Sequence, residues 1–134
     1  MFKNLSHIGI AVKNLMRSSE TFQKILDVKD IHIESVPDQK VNIAMLEIGG
    51  THIELLEGSS EDSPIIKFIE KKGEGIHHLS FIVDDIETEL ARLKSEGFNL
   101  IDEKPRVGAA GSLIAFVHPQ STNGVLIELS QKIL

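Results

Sequence analysis

The chain of 134 residues contains an internal repeat, which constrains the fold more than any other feature of the sequence. The segment HIGIAVKNL (7–15) matches HLSFIVDDI (78–86) at a shift of 71 positions. A second pair follows in the same order, because THIELLE (51–57) matches VLIELSQ (125–131). Each half therefore has a histidine followed about 50 residues later by a glutamate, which indicates a duplicated module.

Alternating apolar residues, turn signals and helix caps predict the same order of elements in both halves. In the first half we expect a helix over 15–26 and strands over 5–12, 31–36, 40–48 and 51–57. In the second half we expect a helix over 86–96 and strands over 76–83, 99–103, 113–118 and 125–130. A short helix joins the halves. It begins at Ser63-Pro64, with proline at its first helical position, and ends at Lys72. The prediction is an α+β fold of two βαβββ modules in tandem.

The composition excludes several classes of function. The net charge of −6 and the lack of a basic run argue against a nucleic-acid partner. No apolar run approaches the roughly 20 residues that span a bilayer, and the N-terminal segment does not have the pattern of a signal peptide. The absence of cysteine excludes disulfides and thiolate ligands, so we expect a cytoplasmic protein in which histidine and carboxylate would hold any metal.

Strand parity places the four repeated polar residues away from the strongest apolar stripes. These residues are His7, Glu54, His78 and Glu128. The small residues Gly9 and Ser80 share the faces of the two histidines, which leaves room for a ligand. Taken singly, a strand histidine is usually structural and a strand glutamate usually faces solvent. Their symmetric recurrence instead indicates a metal site, because two imidazoles and two carboxylates suit a borderline divalent ion such as Co²⁺, Ni²⁺, Zn²⁺, Mn²⁺ or Fe²⁺.

The other histidines do not fit this pattern. His77 lies on the apolar side of its strand, which is typical of a packed or capping residue. His32 and His52 have no counterpart in the repeat, so we do not expect them to be ligands.

Paired βαβββ modules with this ligand set resemble the vicinal oxygen chelate superfamily, which groups glyoxalases, bleomycin-resistance proteins and dioxygenases. Within it the sequence resembles the methylmalonyl-CoA epimerase family over nearly its whole length. The segments that carry the resemblance are HIGIAV, THIELLE, SPIIKFIEKKGEGIHHLSFIVDDI, PRVGAAG and HPQSTNGVLIEL. The resemblance implies one domain over 1–134, in which modules 1–58 and 74–134 are joined by a linker helix, 59–73. It also implies mixed sheets curved around a metal-containing cavity.

The resemblance further implies a site and a reaction. His7, Glu54, His78 and Glu128 would bind one divalent ion, with Co²⁺ the first expectation and Zn²⁺, Ni²⁺, Mn²⁺ or Fe²⁺ open. The reaction would interconvert (R)- and (S)-methylmalonyl-CoA by removal of the proton α to the thioester, through a metal-stabilised enolate. Epimerisation needs two acid/base groups, and Glu128 is the candidate for one of them.

The second acid/base group stays open. Asn42 matches a position that is acidic in some family members, but an amide cannot abstract a proton at ordinary pH, so we predict only a substrate-pocket role. The glycine-rich loop with Gly108 and Gly111 does not match a phosphate-binding fingerprint. With the neighbouring cations Lys104 and Arg106, it is predicted to contact the CoA portion of the substrate or to close over the site.

Three alternatives remain at this point. Glyoxalase I, a lactoylglutathione lyase acting on a hemithioacetal, has a similar fold and ligand set. An extradiol dioxygenase is disfavoured because the fourth protein ligand would take a position that oxygen needs. A metal-free sequestering protein of the bleomycin-resistance type is disfavoured by the intact ligand set. The resemblance favours an acyl-CoA substrate and a homodimer, with neither a nucleic-acid nor a membrane partner.

Overall fold

The computed structural model describes residues 1–133, which form two compact units. The first unit comprises residues 7–77, and the second comprises residues 1–6 together with 78–133. Strand β1, Phe2–Ala11, is divided between the units at Ser6 and His7. Among the helices of residues 1–133, none has the length and apolarity that a membrane span requires.

The first unit continues from β1 as a helix followed by three strands and a second helix. These elements are α1 (Leu15–Leu26), β2 (His32–Val36), β3 (Val41–Ile48), β4 (Thr51–Gly58) and α2 (Pro64–Lys72). The strand order is β2-β3-β4-β1, in which β4 and β1 are parallel and the other neighbours are antiparallel. The core forms between α1 and the inner strands, and it includes the buried residues Leu15, Ala44, Leu46 and Leu55.

The second unit repeats this plan. Its elements are β5 (Gly75–Val83, which begins in the first unit), α3 (Ile86–Ser95), β6 (Arg106–Val107), β7 (Ser112–Val117) and β8 (Ile127–Lys132). The strand order is β5-β8-β7-β6, with β5 and β8 parallel and the remaining pairs antiparallel. The core lies where α3 meets β7 and β8, and it includes Leu90, Ala115, Val117 and Leu129. The predicted α+β class with two βαβββ modules is therefore confirmed, whereas the module bounds 1–58 and 74–134 stay a prediction.

The first helix of each module is capped in the same way, at positions 71 residues apart. The Asn14 side chain accepts a hydrogen bond from the backbone amide of Arg17, at 3.0 Å. The Asp85 side chain accepts one from the amide of Thr88, at 3.2 Å. These bonds satisfy helix amides that have no partner within the helix.

A strand residue caps each of these helices as well. The Glu57 carboxylate accepts a hydrogen bond from the amide of Leu15, at 2.9 Å. The Gln131 side-chain carbonyl accepts one from the amide of Ile86, at 2.8 Å. The duplication thus extends from the sequence to the hydrogen bonds that join helix to sheet.

The strand predicted over 99–103 is wrong. Only Leu100 makes a ladder contact there, a single bridge to Val117, and the edge strand is β6 instead. The reason is that the amide of Phe116 donates to the carboxylate of Asp102, at 2.9 Å, so a side chain makes a bond that a strand would make with its backbone.

Candidate metal centre

In the first unit, a buried histidine and a buried glutamate lie on neighbouring parallel strands. His7 of β1 and Glu54 of β4 are each 8% exposed, and the His7 Nδ1 atom lies 3.1 Å from Glu54 Oε2. Gly9 is directly opposite Glu54 in the ladder, so no side chain projects beside the carboxylate at that position.

The second unit contains the corresponding pair. His78 of β5 and Glu128 of β8 are each 5% exposed, and His78 Nε2 lies 3.9 Å from Glu128 Oε1. Ser80 is directly opposite Glu128, as Gly9 is opposite Glu54 in the first unit. In both units the histidine therefore precedes, by two residues, a small residue that faces the glutamate.

Burial shifts the pKa values of His7 and Glu128. The pKa of His7 is lowered to about 4, chiefly because burial disfavours the imidazolium form and secondarily because His52 is nearby. The pKa of Glu128 is raised to about 7 by burial, although a hydrogen bond from Ser80 and the positive charge of Arg106 lower it in part. A neutral imidazole and a desolvated carboxylate are both suited to a cation, since the first offers a free lone pair and the second gains a compensating charge.

These residues therefore fit a divalent ion by their chemistry. His7 and Glu54 offer one nitrogen and one carboxylate donor in the first unit, and His78 and Glu128 offer the same pair in the second. Nitrogen and oxygen donors of this kind match the borderline divalent metals expected from the sequence.

Phe116 was missed by sequence reasoning although it lies next to Glu128. It is directly opposite Glu128 in the β7–β8 ladder, and its ring meets the ring of His78 edge-on, with centroids 5.6 Å apart. The repeat contained the signal, because Met45 occupies the same position opposite Glu54.

The predicted cations differ in their placement. Lys104 is exposed in the loop before β6. The guanidinium carbon of Arg106 lies 5.7 Å from the ring centroid of Phe116, and its Nε lies 3.3 Å from Asp102 Oδ1. Asp102 was not predicted from the sequence, because its contacts depend on the loop between Leu100 and β6, which interrupts the expected strand.

Asn42 lies apart from Glu54 in the sheet. It is opposite Glu57, whose carboxylate caps α1, so its register places it on the face that meets the helix. Ile43, the next residue, lies on the same face of the sheet as Glu54, but it was not among the predicted site residues.

The predicted loop glycines have local structural reasons. A Cβ atom on Gly108 would lie 2.8 Å from Cγ2 of the buried Ile114, which requires glycine for the close approach. Gly111 has φ +68°, in the left-handed region. Their predicted contact with substrate stays a prediction.

Three other histidines, His77, His32 and His52, differ from the ligand candidates. The ring of His77 meets the ring of Phe68 edge-on at a centroid distance of 4.9 Å, and burial lowers its pKa to about 4. His32 is exposed and its Nε2 lies 3.2 Å from the carboxylate of Glu34. His52 pairs in register with His7.

Comparison with known proteins places this chain in a family. The model of the glyoxalase/bleomycin resistance protein/dioxygenase superfamily matches residues 6–116. The chain belongs to this superfamily. The resemblance expected from the repeat is thereby confirmed.

Its relatives include an uncharacterised protein and enzymes. It is 42% identical to protein YqjC of Bacillus subtilis, covering 95% of this chain and 91% of that protein. It is 35% identical to the ethylmalonyl-CoA/methylmalonyl-CoA epimerase of Cereibacter sphaeroides, over 98% of this chain and 99% of that protein. Among solved structures, a Streptomyces coelicolor methylmalonyl-CoA epimerase in complex with 2-nitronate-propionyl-CoA is 34% identical, with a TM-score of 0.94 and coverage of 99% and 96%. The expected likeness to methylmalonyl-CoA epimerases is confirmed.

Proposed function

We propose that this protein is a metal-dependent methylmalonyl-CoA epimerase, which interconverts (R)- and (S)-methylmalonyl-CoA. The observation that carries the proposal is the buried His–Glu pair with the same register in both units. Relatives named as epimerases of malonyl-type CoA esters, which this chain matches over nearly its full length, support the choice of substrate.

In this proposal His7, Glu54, His78 and Glu128 together hold one divalent ion. Co²⁺ is the first expectation, and Zn²⁺, Ni²⁺, Mn²⁺ and Fe²⁺ are the other candidates. When bound, the ion supplies Lewis-acid chemistry that makes the proton α to the thioester carbonyl more acidic. The burial of all four side chains would exclude water and strengthen their electrostatic interactions with the ligand.

Glu128 is the proposed acid/base residue. It would take the proton from C2 of the acyl group and return it, because it is a buried carboxylate at the proposed site. Inversion also requires a group that delivers a proton to the opposite face, and no residue is assigned to that role.

The predicted substrate contacts belong to the same proposal. They are Lys104, Arg106, Gly108 and Gly111, whereas Asn42 lies on the face that meets α1 and is not among them. The cytoplasmic location and the homodimer expected from the sequence are likewise part of it.

Deuterium exchange at C2 tests the reaction directly. Metal-loaded protein is incubated with (S)-methylmalonyl-CoA in D₂O, and the product is analysed by mass spectrometry and by chiral separation. We expect incorporation of one deuterium together with formation of the (R) isomer.

The same experiment separates the alternatives. Turnover of a methylglyoxal–glutathione hemithioacetal without exchange of the CoA ester would replace the proposal with glyoxalase I. Failure to bind any of the five metals, measured by elemental analysis after dialysis, would replace it with a metal-free binding protein.

A further inference from the structure

Arg106 lies on the same face of the second unit as Glu128. It is opposite Ile114 in the β6–β7 ladder, and Phe116, two residues further along β7, is opposite Glu128. Because cross-strand partners share a face, and residues two apart along a strand do also, the side chains of Arg106, Phe116 and Glu128 project to one side. The Arg106 side chain is 46% exposed, so its charge is accessible.

The guanidinium of Arg106 is held in place before any ligand arrives. Asp102 pairs with its Nε through one carboxylate oxygen and accepts from the amide of Phe116 through the other. The ring of Phe116 supports the flat guanidinium from one side. A cation fixed in this way loses little side-chain entropy when it binds an anion.

One side chain separates this cation from the proposed metal ligands. The centroid of the Phe116 ring lies 5.7 Å from the guanidinium carbon of Arg106 and 5.6 Å from the centroid of the His78 ring. In an acyl-CoA ester, the full length of the pantetheine arm separates the reacting acyl group from the phosphates. A cation this close to His78 and Glu128 is therefore placed to meet the acyl end of the substrate and not the nucleotide end.

We propose that Arg106 binds the free carboxylate of a 2-carboxyacyl thioester and so selects carboxylated acyl-CoA esters over simple ones. This inference rests on the proposed function and names the group that determines its substrate class. Guanidinium matches a carboxylate through two parallel N–H···O bonds. It would also offset the second negative charge that develops when the proton next to that carboxylate is removed.

The repeat shows that the fold does not require arginine at this position. Glu34 is opposite Ile43 in the first unit as Arg106 is opposite Ile114 in the second, so the equivalent position carries an acid. The two units have kept their His–Glu pairs but carry opposite charges here.

Binding measurements with two esters test the inference. Metal-loaded wild type and Arg106→Met are titrated calorimetrically with methylmalonyl-CoA and with propionyl-CoA, which differ only in the carboxylate. We expect Arg106→Met to weaken methylmalonyl-CoA binding by roughly tenfold to a hundredfold, the usual range for loss of a hydrogen bond between charged groups. Propionyl-CoA binding should change by less than about twofold, because no contact to the CoA portion is lost.

Two further variants sharpen the result. Arg106→Lys, which keeps the charge but not the fork, should recover part of the preference, and Arg17→Met, an exposed arginine of α1, should leave it unchanged. Equal weakening of both esters would mean that Arg106 binds the CoA portion, and an unchanged preference would mean that it binds neither; both overturn the inference. Because binding is measured without turnover, loss of the carboxylate preference in a protein that does not epimerise would refute the proposed function alone.

Discussion

Gly9 lies directly opposite Glu54 in the parallel ladder between β1 and β4. The carboxylate therefore has beside it a position with no side chain. In the second unit a small hydroxyl residue occupies the equivalent position.

Filling that space should disturb metal binding without unfolding the protein. We expect Gly9→Val to weaken Co²⁺ binding at least tenfold, because the added branch would compete with the ion for the space beside Glu54. Calorimetric titration with Co²⁺ measures the change, and Gly50→Val, in an exposed hairpin turn, is the control. Co²⁺ binding that is equally strong in both variants would mean that the ion does not occupy this face.

Replacing Glu54 and Glu128 by glutamine, one at a time, should distinguish a role in metal binding from a role in proton transfer. Both Glu54→Gln and Glu128→Gln keep an oxygen donor, so we expect each to retain one metal ion per chain. Glu128→Gln should lower deuterium exchange by roughly a hundredfold or more, the usual contribution of a general base, whereas Glu54→Gln should retain most of the exchange. Equal losses in the two variants would contradict the assignment of Glu128 as the acid/base residue.

The buried His77 should make the stability depend on pH. Its pKa is lowered from 6.5 to about 4, so between these values the unfolded chain binds a proton that the folded chain does not. The free energy of unfolding therefore decreases as the pH falls from 6.5 to 4, by up to about 3 kcal/mol from this residue. His77→Phe keeps an aromatic contact with Phe68 and should reduce that decrease by on the order of 1–3 kcal/mol in urea titrations at several pH values. An unchanged pH dependence would show that His77 does not contribute.

The contact between Glu57 and α1 should stabilise the first module. Glu57→Ala removes the acceptor for the amide of Leu15 and is expected to lower the free energy of unfolding by about 1 kcal/mol. Glu57→Gln keeps an acceptor and should cost less. Urea denaturation of the two variants measures the difference, and equal stabilities would indicate that the bond contributes nothing in water.

Sequence patterns were sufficient to predict most of the fold, because apolar and polar residues alternate along the strands and each helix has a capping residue. Asn14 and Asp85 are examples, since both are residue types that favour the N-cap and both occupy it. The prediction failed at 99–103, where apolar residues continue but the Asp102 side chain takes the bond of a strand neighbour. A side-chain contact of this kind leaves no periodic pattern in a sequence.

Part of the candidate site could be predicted from the sequence for a similar reason. His7 and Glu54 could be predicted as a pair because the repeat aligns them with His78 and Glu128 in the second half. Phe116 and Asp102 could not be found in this way, because their importance comes from the partners that the ladders and the loop bring to them. Asn42 was selected from the family resemblance alone, whereas the register places Ile43 on the face of Glu54.

The equal division of the proposed ligands, one histidine and one glutamate to each unit, has a consequence for how such a protein could arise. A chain of half this length would carry half the set, and two identical copies would supply all four ligands with the symmetry of a dimer. Two identical copies acquire every substitution together. When the copies are fused into one chain, a substitution in one half no longer appears in the other. One copy can then acquire a serine where the other has glycine, or an arginine where the other has glutamate, as Ser80 and Arg106 illustrate. A substrate with a stereocentre has no symmetry of its own, and a fused chain can evolve different groups for its two sides.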